Sequence, residues 1–297
     1  MVKQCVGSLP DRDHSVYRYT DQIYKIVQFK SIRIRTGPGP AVHHKHYENK
    51  LASSLSRARR VILEKALCNP WDWFCTFTIA KDKYDRKALD AWWESFSQWL
   101  RDKRKLGHDI RYLIVPERHK DGSWHGHGLI AGIPEDELIK FKDLAKLGMK
   151  LPRKLRNSNY FNWVAYQKKF GFCSLGKIVN PVAAGFYITK YITKEQDRMV
   201  SQVGLHSYYV SRGLAGATKH IDFYGRDPEI DKLLVNKYEF CSTGMTHTKQ
   251  NLDWTFCLEF GLDVQLEPLD PTNEIVEPAQ READQYFEWE QTAFFNM

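Results

Sequence analysis

Two histidines separated by one residue are the strongest chemical signal in the sequence. His125 and His127 lie in the segment Trp-His-Gly-His-Gly-Leu-Ile. Alternate residues of a strand point to the same face of a sheet, so such a strand presents two imidazoles to one divalent cation. Gly126 and Gly128 leave the backbone open to close approach from the opposite face, or mark a bend.

A carboxylate precedes the histidines at a spacing that a hairpin brings beside them. Glu117 ends an apolar run, and the Asp121-Gly122 pair that follows is a strong hairpin signal. A two-residue turn would pair Glu117 with Gly126 and send the carboxylate to the wrong face, whereas a three- or five-residue loop pairs it with His125. We therefore predict an odd-length loop or a bulge. A metal site of Glu117, His125 and His127 suits Mg²⁺ or Mn²⁺.

A tyrosine–lysine repeat supplies candidate nucleophiles. Residues 187–194 read Tyr-Ile-Thr-Lys twice, and Pro181 stands near the start of the helix that this segment predicts. Tyr187, Lys190, Tyr191 and Lys194 then form one stripe of that helix. An ordinary amphipathic helix has no reason to repeat the same four residues. The repeat presents two hydroxyl groups about one turn apart, each beside a cation.

Three segments in this order resemble a known family. Residues 74–79 form a β-branched and aromatic run with two threonines that is typical of a strand. A threonine-bearing strand, a His-x-His strand and a tyrosine helix together resemble the HUH endonucleases that initiate rolling-circle replication in phages and plasmids. The doubled tyrosine resembles their two-tyrosine branch, typified by small single-stranded-DNA phages. The resemblance covers roughly residues 71–215, and Gly126 departs from it because a bulky apolar residue is usual there.

The resemblance implies a metal-dependent endonuclease that nicks and rejoins single-stranded origin DNA. Tyr187 and Tyr191 would be the nucleophiles, leaving a 5′-phosphotyrosyl link and a free 3′-OH for a polymerase. Only about 0.1% of an ordinary tyrosine is phenolate at pH 7, so a nearby cation is useful. Lys190 and Lys194 would favour the phenolate or neutralise charge that develops on phosphorus. A host helicase and polymerase are the implied protein partners.

The charge distribution indicates a nucleic-acid partner. The 297-residue chain has net charge +8, but residues 251–297 hold eleven acidic residues and one arginine, a net of −10. Residues 1–250 therefore carry +18, which is typical of proteins that bind phosphate backbones. The second basic cluster leads into aromatic residues at 160–166, as single-strand binding surfaces do. The predicted DNA contacts are Arg57, Arg59, Arg60, Arg153, Lys154, Arg156 and Arg212.

Other patterns exclude several function classes. Six cysteines without a Cys-x-x-Cys pair, no signal peptide and no apolar run near 18 residues predict reduced thiols, no membrane partner and a bacterial cytoplasm. Residues 171–177 match a phosphate-binding loop, but Ile178 replaces the Mg²⁺-binding Ser or Thr. We therefore predict a strand there and no ATPase motor. The cluster at His43–His46 is predicted to be a polar loop.

The hydrophobic pattern predicts an α+β fold with an antiparallel sheet and helices on one face. Family analogy adds that the sheet has about five strands, with the metal on the central ones. Predicted boundaries are an N-terminal basic region at 1–70, an endonuclease core at 71–223, a connecting segment at 224–250 and a partly flexible acidic tail at 251–297. The predicted elements are strands within 16–36, a helix at 48–67, a strand at 73–80, a helix near 87–105, a hairpin at 110–131, a basic helix after Pro134, strands within 161–179, the tyrosine helix, and a strand and turn within 207–223.

Two other classes share parts of this pattern. A transposase or relaxase of the HUH type would use the same histidine strand, but such transposases carry one tyrosine. Relaxases place their tyrosines near the amino terminus and use three histidines. A non-catalytic DNA-binding regulator would also be basic, but it would not need His-x-His together with a tyrosine–lysine stripe.

Overall fold

A computed structural model describes most of the chain. It covers residues 14–30, 45–119, 121–148, 151, 153–199, 206–223, 228–238, 241–247 and 267–268. The strand predicted at 32–34, the side chains of the His43–His46 cluster and the acidic tail apart from 267–268 lie outside these residues.

The described residues fall into two compact units, one within 1–44 and 215–270 and the other within 45–214. The helices and strands are β1 (His14–Arg18), β2 (Ile23–Phe29), α1 (Lys45–Leu67), β3 (Trp73–Thr78), α2 (Leu89–Lys105), β4 (Arg111–Arg118), β5 (Trp124–Ala131), β6 (Leu138–Lys140), α3 (Phe141–Lys146), α4 (Arg153–Arg156), β7 (Phe161–Trp163), α5 (Val164–Lys169), β8 (Cys173–Lys177), α6 (Pro181–Met199), β9 (Tyr209–Val210), β10 (Thr218–Phe223), α7 (Pro228–Leu233), β11 (Asn236–Lys237), β12 (Cys241–His247) and β13 (Glu267–Pro268).

The first unit is an antiparallel sheet built from both ends of the chain. Its strand order is β10-β1-β2-β12-β11, and β13 also pairs with β12. Helix α7 packs on this sheet through Ile230 and Leu233, which contact the buried Val16 and Ile26. The amino-terminal strands therefore fold with the segment after residue 217, whereas α1 belongs to the second unit.

The second unit contains the histidine strand at the centre of a seven-stranded sheet. The order is β6-β7-β8-β3-β5-β4-β9, and every pairing in it is antiparallel. The predicted α+β class with an antiparallel sheet is confirmed. The sheet has seven strands rather than about five, because the short β6 and β9 extend its edges.

Helices cover both faces of this sheet, which corrects the expectation of one covered face. On one face α1 and α6 pack against the strands through Ile62 and Ile188. On the other face α2 and α5 contribute Trp92, Phe96 and Tyr166. The physical reason is that the central strands are apolar on both sides: all eight residues of β5 and six of the eight in β4 are buried.

Most predicted elements lie where the hydrophobic pattern put them. Residues 173–177 form β8, which confirms a strand in place of a phosphate-binding loop. After Pro134 a 3₁₀ turn at Glu135–Glu137 and the short β6 come first, so the predicted helix begins only at Phe141. Within the described residues, no helix combines the length and the apolar composition needed to cross a membrane.

The two glycines of β5 lie where neighbouring groups leave no room for a side chain. A Cβ atom at Gly126 would lie 3.1 Å from Cη2 of Trp92 and 3.2 Å from Cγ2 of Ile114. At Gly128 it would lie 2.5 Å from the carbonyl oxygen of Leu113. Trp92 and Ile114 therefore fill the space that a bulky residue at position 126 would need, which explains the departure from the family pattern.

We predict that Gly128→Ala lowers the free energy of unfolding by about 1–3 kcal/mol, because the new methyl group meets a backbone carbonyl that cannot rotate away. Gly126→Ala is the matched control and should cost less, since its neighbours are side-chain atoms that can shift. Urea denaturation followed by tryptophan fluorescence measures both. Equal unfolding midpoints for Gly128→Ala and the unmodified protein would contradict this close backbone approach.

Candidate metal and tyrosine site

The β4–β5 hairpin sets the geometry of the site. Glu117 pairs directly with His125 across the two strands. The backbone N–H of His119 donates to the carbonyl of Ser123 at 2.8 Å, and that of Gly122 donates to the carbonyl of His119 at 2.9 Å. Gly122 has φ +84°, the left-handed conformation that closes a three-residue loop. The predicted odd-length loop is confirmed, and it puts the Glu117 carboxylate on the face of the histidines.

The tightest group of possible metal ligands is Glu117, His119 and His127, whose ligand atoms all lie within 4.8 Å of one another. Oε2 of Glu117 lies 2.9 Å from Nε2 of His127. Glu117 and His127 are buried, whereas His119 is half-buried. The sequence prediction named Glu117 and His127 but missed His119. The signal was nevertheless present, because His119 is two residues after Glu117 and so has the same facing.

His125 lies beside this group. Its ring packs edge-on against the ring of His119, with centroids 4.2 Å apart. Burial lowers the pKa of His125 well below its usual range, and the neighbouring His119 and His127 lower it further. The imidazole of His125 is therefore neutral at pH 7, which is the form that binds metal ions.

The threonine strand β3 holds both histidine rings. Thr76 pairs with His127 and Thr78 with His125 across the β3–β5 ladder. The Oγ1 atoms lie 3.2 Å and 3.4 Å from the respective Nδ1 atoms. A hydroxyl group can donate or accept, so it serves either tautomer of the ring. With Nε2 turned to a metal, Nδ1 carries the proton and the threonine oxygen accepts it.

Helix α6 brings both predicted tyrosines to the histidine face. Its first turn is capped by Asn180, whose Oδ1 accepts from the backbone N–H of Ala183 at 3.0 Å. The ring of Tyr191 stacks on His127, with centroids 4.0 Å apart and planes 8° apart. The hydroxyl of Tyr191 donates to the hydroxyl of Tyr187 at 3.3 Å. Tyr191 is only 1% exposed, while Tyr187 is half-buried.

One lysine of the predicted stripe lies close to this pair. Nζ of Lys190 lies 5.2 Å from the centre of the Tyr187 ring, and Lys190 is exposed. The backbone of Lys194 follows one turn later in α6, but its side chain lies outside the described residues.

The predicted DNA contacts lie on the protein surface. In α1 the arginines are exposed, while Leu55 and Ile62 on the other side of the helix are buried. Arg156 is exposed and donates to the carbonyl of Leu151 at 3.0 Å. The side chain of Lys154 lies outside the described residues. The other exposed members are Arg57, Arg59, Arg60, Arg153 and Arg212. Their role in DNA binding stays a prediction.

Comparison with known proteins gives one match. Residues 72–196 match the family model of the replication-associated proteins of the ORF2 type. This segment is similar to replication-associated proteins. It contains β3, the β4–β5 hairpin and most of α6, so the three segments that form the site all lie within the match. Neither a curated protein nor a solved structure matches the chain. The family match supports an initiator protein of DNA replication.

We predict that Thr76→Val lowers the free energy of unfolding by about 1–3 kcal/mol, because it leaves the Nδ1 atom of a buried histidine without its hydroxyl partner. Thr76→Ser is the matched control, since it keeps the hydroxyl group. Urea denaturation of both variants measures the difference. If Thr76→Ser is destabilised as much as Thr76→Val, packing of the methyl group rather than the hydrogen bond stabilises this position.

Proposed function

We propose that the protein is a rolling-circle replication initiator that nicks and rejoins single-stranded origin DNA through a 5′-phosphotyrosyl intermediate. The observation that carries this proposal is the contact between Tyr191 and His127. It joins a candidate nucleophile to a candidate metal ligand. The match of residues 72–196 to replication-associated proteins supports the same function.

The donor set fits a divalent cation. We propose that Glu117, His125 and His127 hold Mg²⁺ or Mn²⁺, because carboxylate oxygen and neutral imidazole nitrogen both bind these ions. Mutual approach of the ligand atoms of Glu117 and His127, at 2.9 Å, supports the assignment. A bound ion would polarise a non-bridging oxygen of the scissile phosphate.

The tyrosine oxygen performs the bond exchange. It attacks phosphorus in line, a P–O bond to tyrosine forms, and the P–O3′ bond breaks. The phenolic proton is lost from tyrosine and the departing 3′ oxygen takes up a proton, which leaves a 3′-OH end. Lys190 beside Tyr187 supplies a positive charge that favours the phenolate and offsets charge on the phosphorane. We propose the same role for Lys194 toward Tyr191.

Two tyrosines suit a reaction with two covalent steps. Initiation needs one attack, and termination needs another while the first strand is still attached to the protein. Tyr187 and Tyr191 have hydroxyl groups 3.3 Å apart, so both can reach one scissile phosphate in turn. Alternation between them lets one site cut and rejoin.

The proposed partners follow from the charge and the product. A body of +18 and the exposed arginines suit a single-stranded phosphate backbone. A host polymerase would extend the free 3′-OH, and a host helicase would unwind the duplex ahead of it. We propose that these steps take place in the cytoplasm of a bacterial host.

We predict that His127→Ala abolishes nicking but leaves single-strand affinity within about tenfold, since phosphate contacts dominate affinity. His125→Ala should act in the same direction, and Glu117→Ala less drastically because water can replace one ligand. His108→Ala is the matched control, because His108 precedes the opposite end of β4 from Glu117. A gel assay of oligonucleotide cleavage in Mn²⁺ measures the loss. Full nicking by the His125→Ala, His127→Ala double variant would refute the site.

A covalent bond to DNA separates the proposed function from a non-catalytic regulator. We predict a protein–oligonucleotide band on a denaturing gel when the protein meets a mixed single-stranded library and Mn²⁺. Tyr187→Phe and Tyr191→Phe should each retain part of this band in a single turnover, and the double variant should form none. Tyr112→Phe is the control, since Tyr112 lies in the core on the α2 side of the sheet.

The tyrosine variants also distinguish this initiator from a one-tyrosine transposase. If one single variant loses all of the band and the other replicates at the full rate, only one tyrosine attacks and alternation is wrong. Sequencing the DNA in the shifted band identifies the site of cleavage.

A further inference from the structure

We infer that His119, at the start of the β4–β5 loop, is a ligand of the same metal ion and biases the site toward transition metals over Mg²⁺. This inference rests on the proposed metal site and adds a residue to it. The juxtaposition that carries it is the approach of the His119, Glu117 and His127 ligand atoms to within 4.8 Å of one another.

His119 faces the site for a geometric reason. Its pairing with Ser123 continues the register in which Glu117 pairs with His125. Residues 117 and 119 are therefore on the same face of β4, as residues 125 and 127 are on β5. The edge-on contact between the rings of His119 and His125 agrees with this facing.

Hydrogen bonds hold the loop that carries His119. Both backbone groups of His119 are used, the N–H toward Ser123 and the carbonyl toward Gly122. Oδ1 of Asp121 accepts from the N–H of Ser123 at 2.9 Å and from its hydroxyl at 2.7 Å. Arg118 Nε donates to the carbonyl of Gly122 at 3.3 Å. A ligand on a loop tied in this way is held ready for binding.

The turn before α2 supports the same loop from outside the hairpin. The carbonyl of Arg86 accepts from the backbone N–H of Trp124 at 2.9 Å. Its Nη2 atom donates to the hydroxyl of Ser123 at 3.3 Å. The loop is therefore anchored at both of its ends, and His119 stays at the partly exposed side of an otherwise buried ligand group.

The extra imidazole changes which metal the site prefers. Mg²⁺ favours oxygen ligands and retains several waters, whereas imidazole suits later divalent metals. A set of Glu117 with two histidines is already rich in nitrogen, and His119 adds a further nitrogen donor. We therefore expect Mn²⁺ and Co²⁺ to bind more tightly than Mg²⁺, and His119 to account for part of the difference.

The test is a metal titration of the full-length protein without DNA. The EPR signal of free Mn²⁺ gives the Mn²⁺ affinity, competition gives the Mg²⁺ affinity, and the visible spectrum of the Co²⁺ form reports its ligands. The variants are His119→Gln, His119→Asp and His127→Gln. His108→Gln is the matched control because it makes the same substitution beyond the far end of β4, about 20 Å or more from Glu117 at 3.3 Å per residue. Circular dichroism shows that each variant is folded.

We expect His119→Gln to weaken Mn²⁺ binding about tenfold or more, as the loss of a group that shapes a metal site does, and to change the Co²⁺ spectrum. Its Mg²⁺ affinity should change much less. His119→Asp should regain metal binding with a preference shifted toward Mg²⁺, since it replaces nitrogen with oxygen. His108→Gln should match the unmodified protein. His119→Asp also keeps the inference testable if His119→Gln does not fold.

Two contrary results are distinguishable. If His119→Gln binds Mn²⁺ as tightly as the unmodified protein while His127→Gln does not, His119 is no ligand and the proposed metal site remains. If His127→Gln also binds normally, or the unmodified protein binds no Mn²⁺, the proposed metal site itself fails together with this inference.

Discussion

The register of the β4–β5 hairpin is the constraint on which the site depends. Side chains alternate between the faces of a sheet, so a slip of one residue would move Glu117 to the α2 face and leave the histidines without a carboxylate. The three-residue loop closed by Gly122 in the left-handed conformation prevents that slip. Hydrogen bonds from Asp121 and Arg118 hold the same loop. Loop chemistry thus decides which side chains can meet at the site.

The two faces of β5 serve different needs. On one face His125 and His127 meet the threonines of β3 and the tyrosine helix, whereas on the other face Gly126 and Gly128 admit close packing. Trp92 from α2 fills the volume under Gly126, so the strand is supported from behind without a side chain of its own. A strand held in this way has little freedom to tilt, and the imidazoles it carries keep their direction. Packing on the apolar face therefore contributes to order on the polar face.

Local patterns were enough to predict the parts of the site that depend on parity and helical spacing. The pairing of Glu117 with His125 and the placement of Tyr187 and Tyr191 near the histidines follow from such rules. The seven-stranded sheet was not predictable, because strands as short as β9 have no periodicity to detect. Pairing of β1 with β10 joins segments about 200 residues apart, which no local pattern encodes. His119 was missed because the parity rule was applied only to the carboxylate, although it holds equally for the next residue with the same facing.

The two tyrosines occupy different surroundings although the sequence repeats them identically. Tyr191 lies flat on His127 and is nearly fully buried, so the sheet fixes its ring. Tyr187 is half-buried, packs edge-on against Phe74 with centroids 5.3 Å apart, and has the ammonium of Lys190 over its ring. Their hydroxyl groups nevertheless meet at one point. Because the helix advances one turn between them, the same residue type contacts the site from inside and from its rim. This asymmetry gives the inner tyrosine a fixed direction toward the histidines and gives the outer one access to an incoming strand.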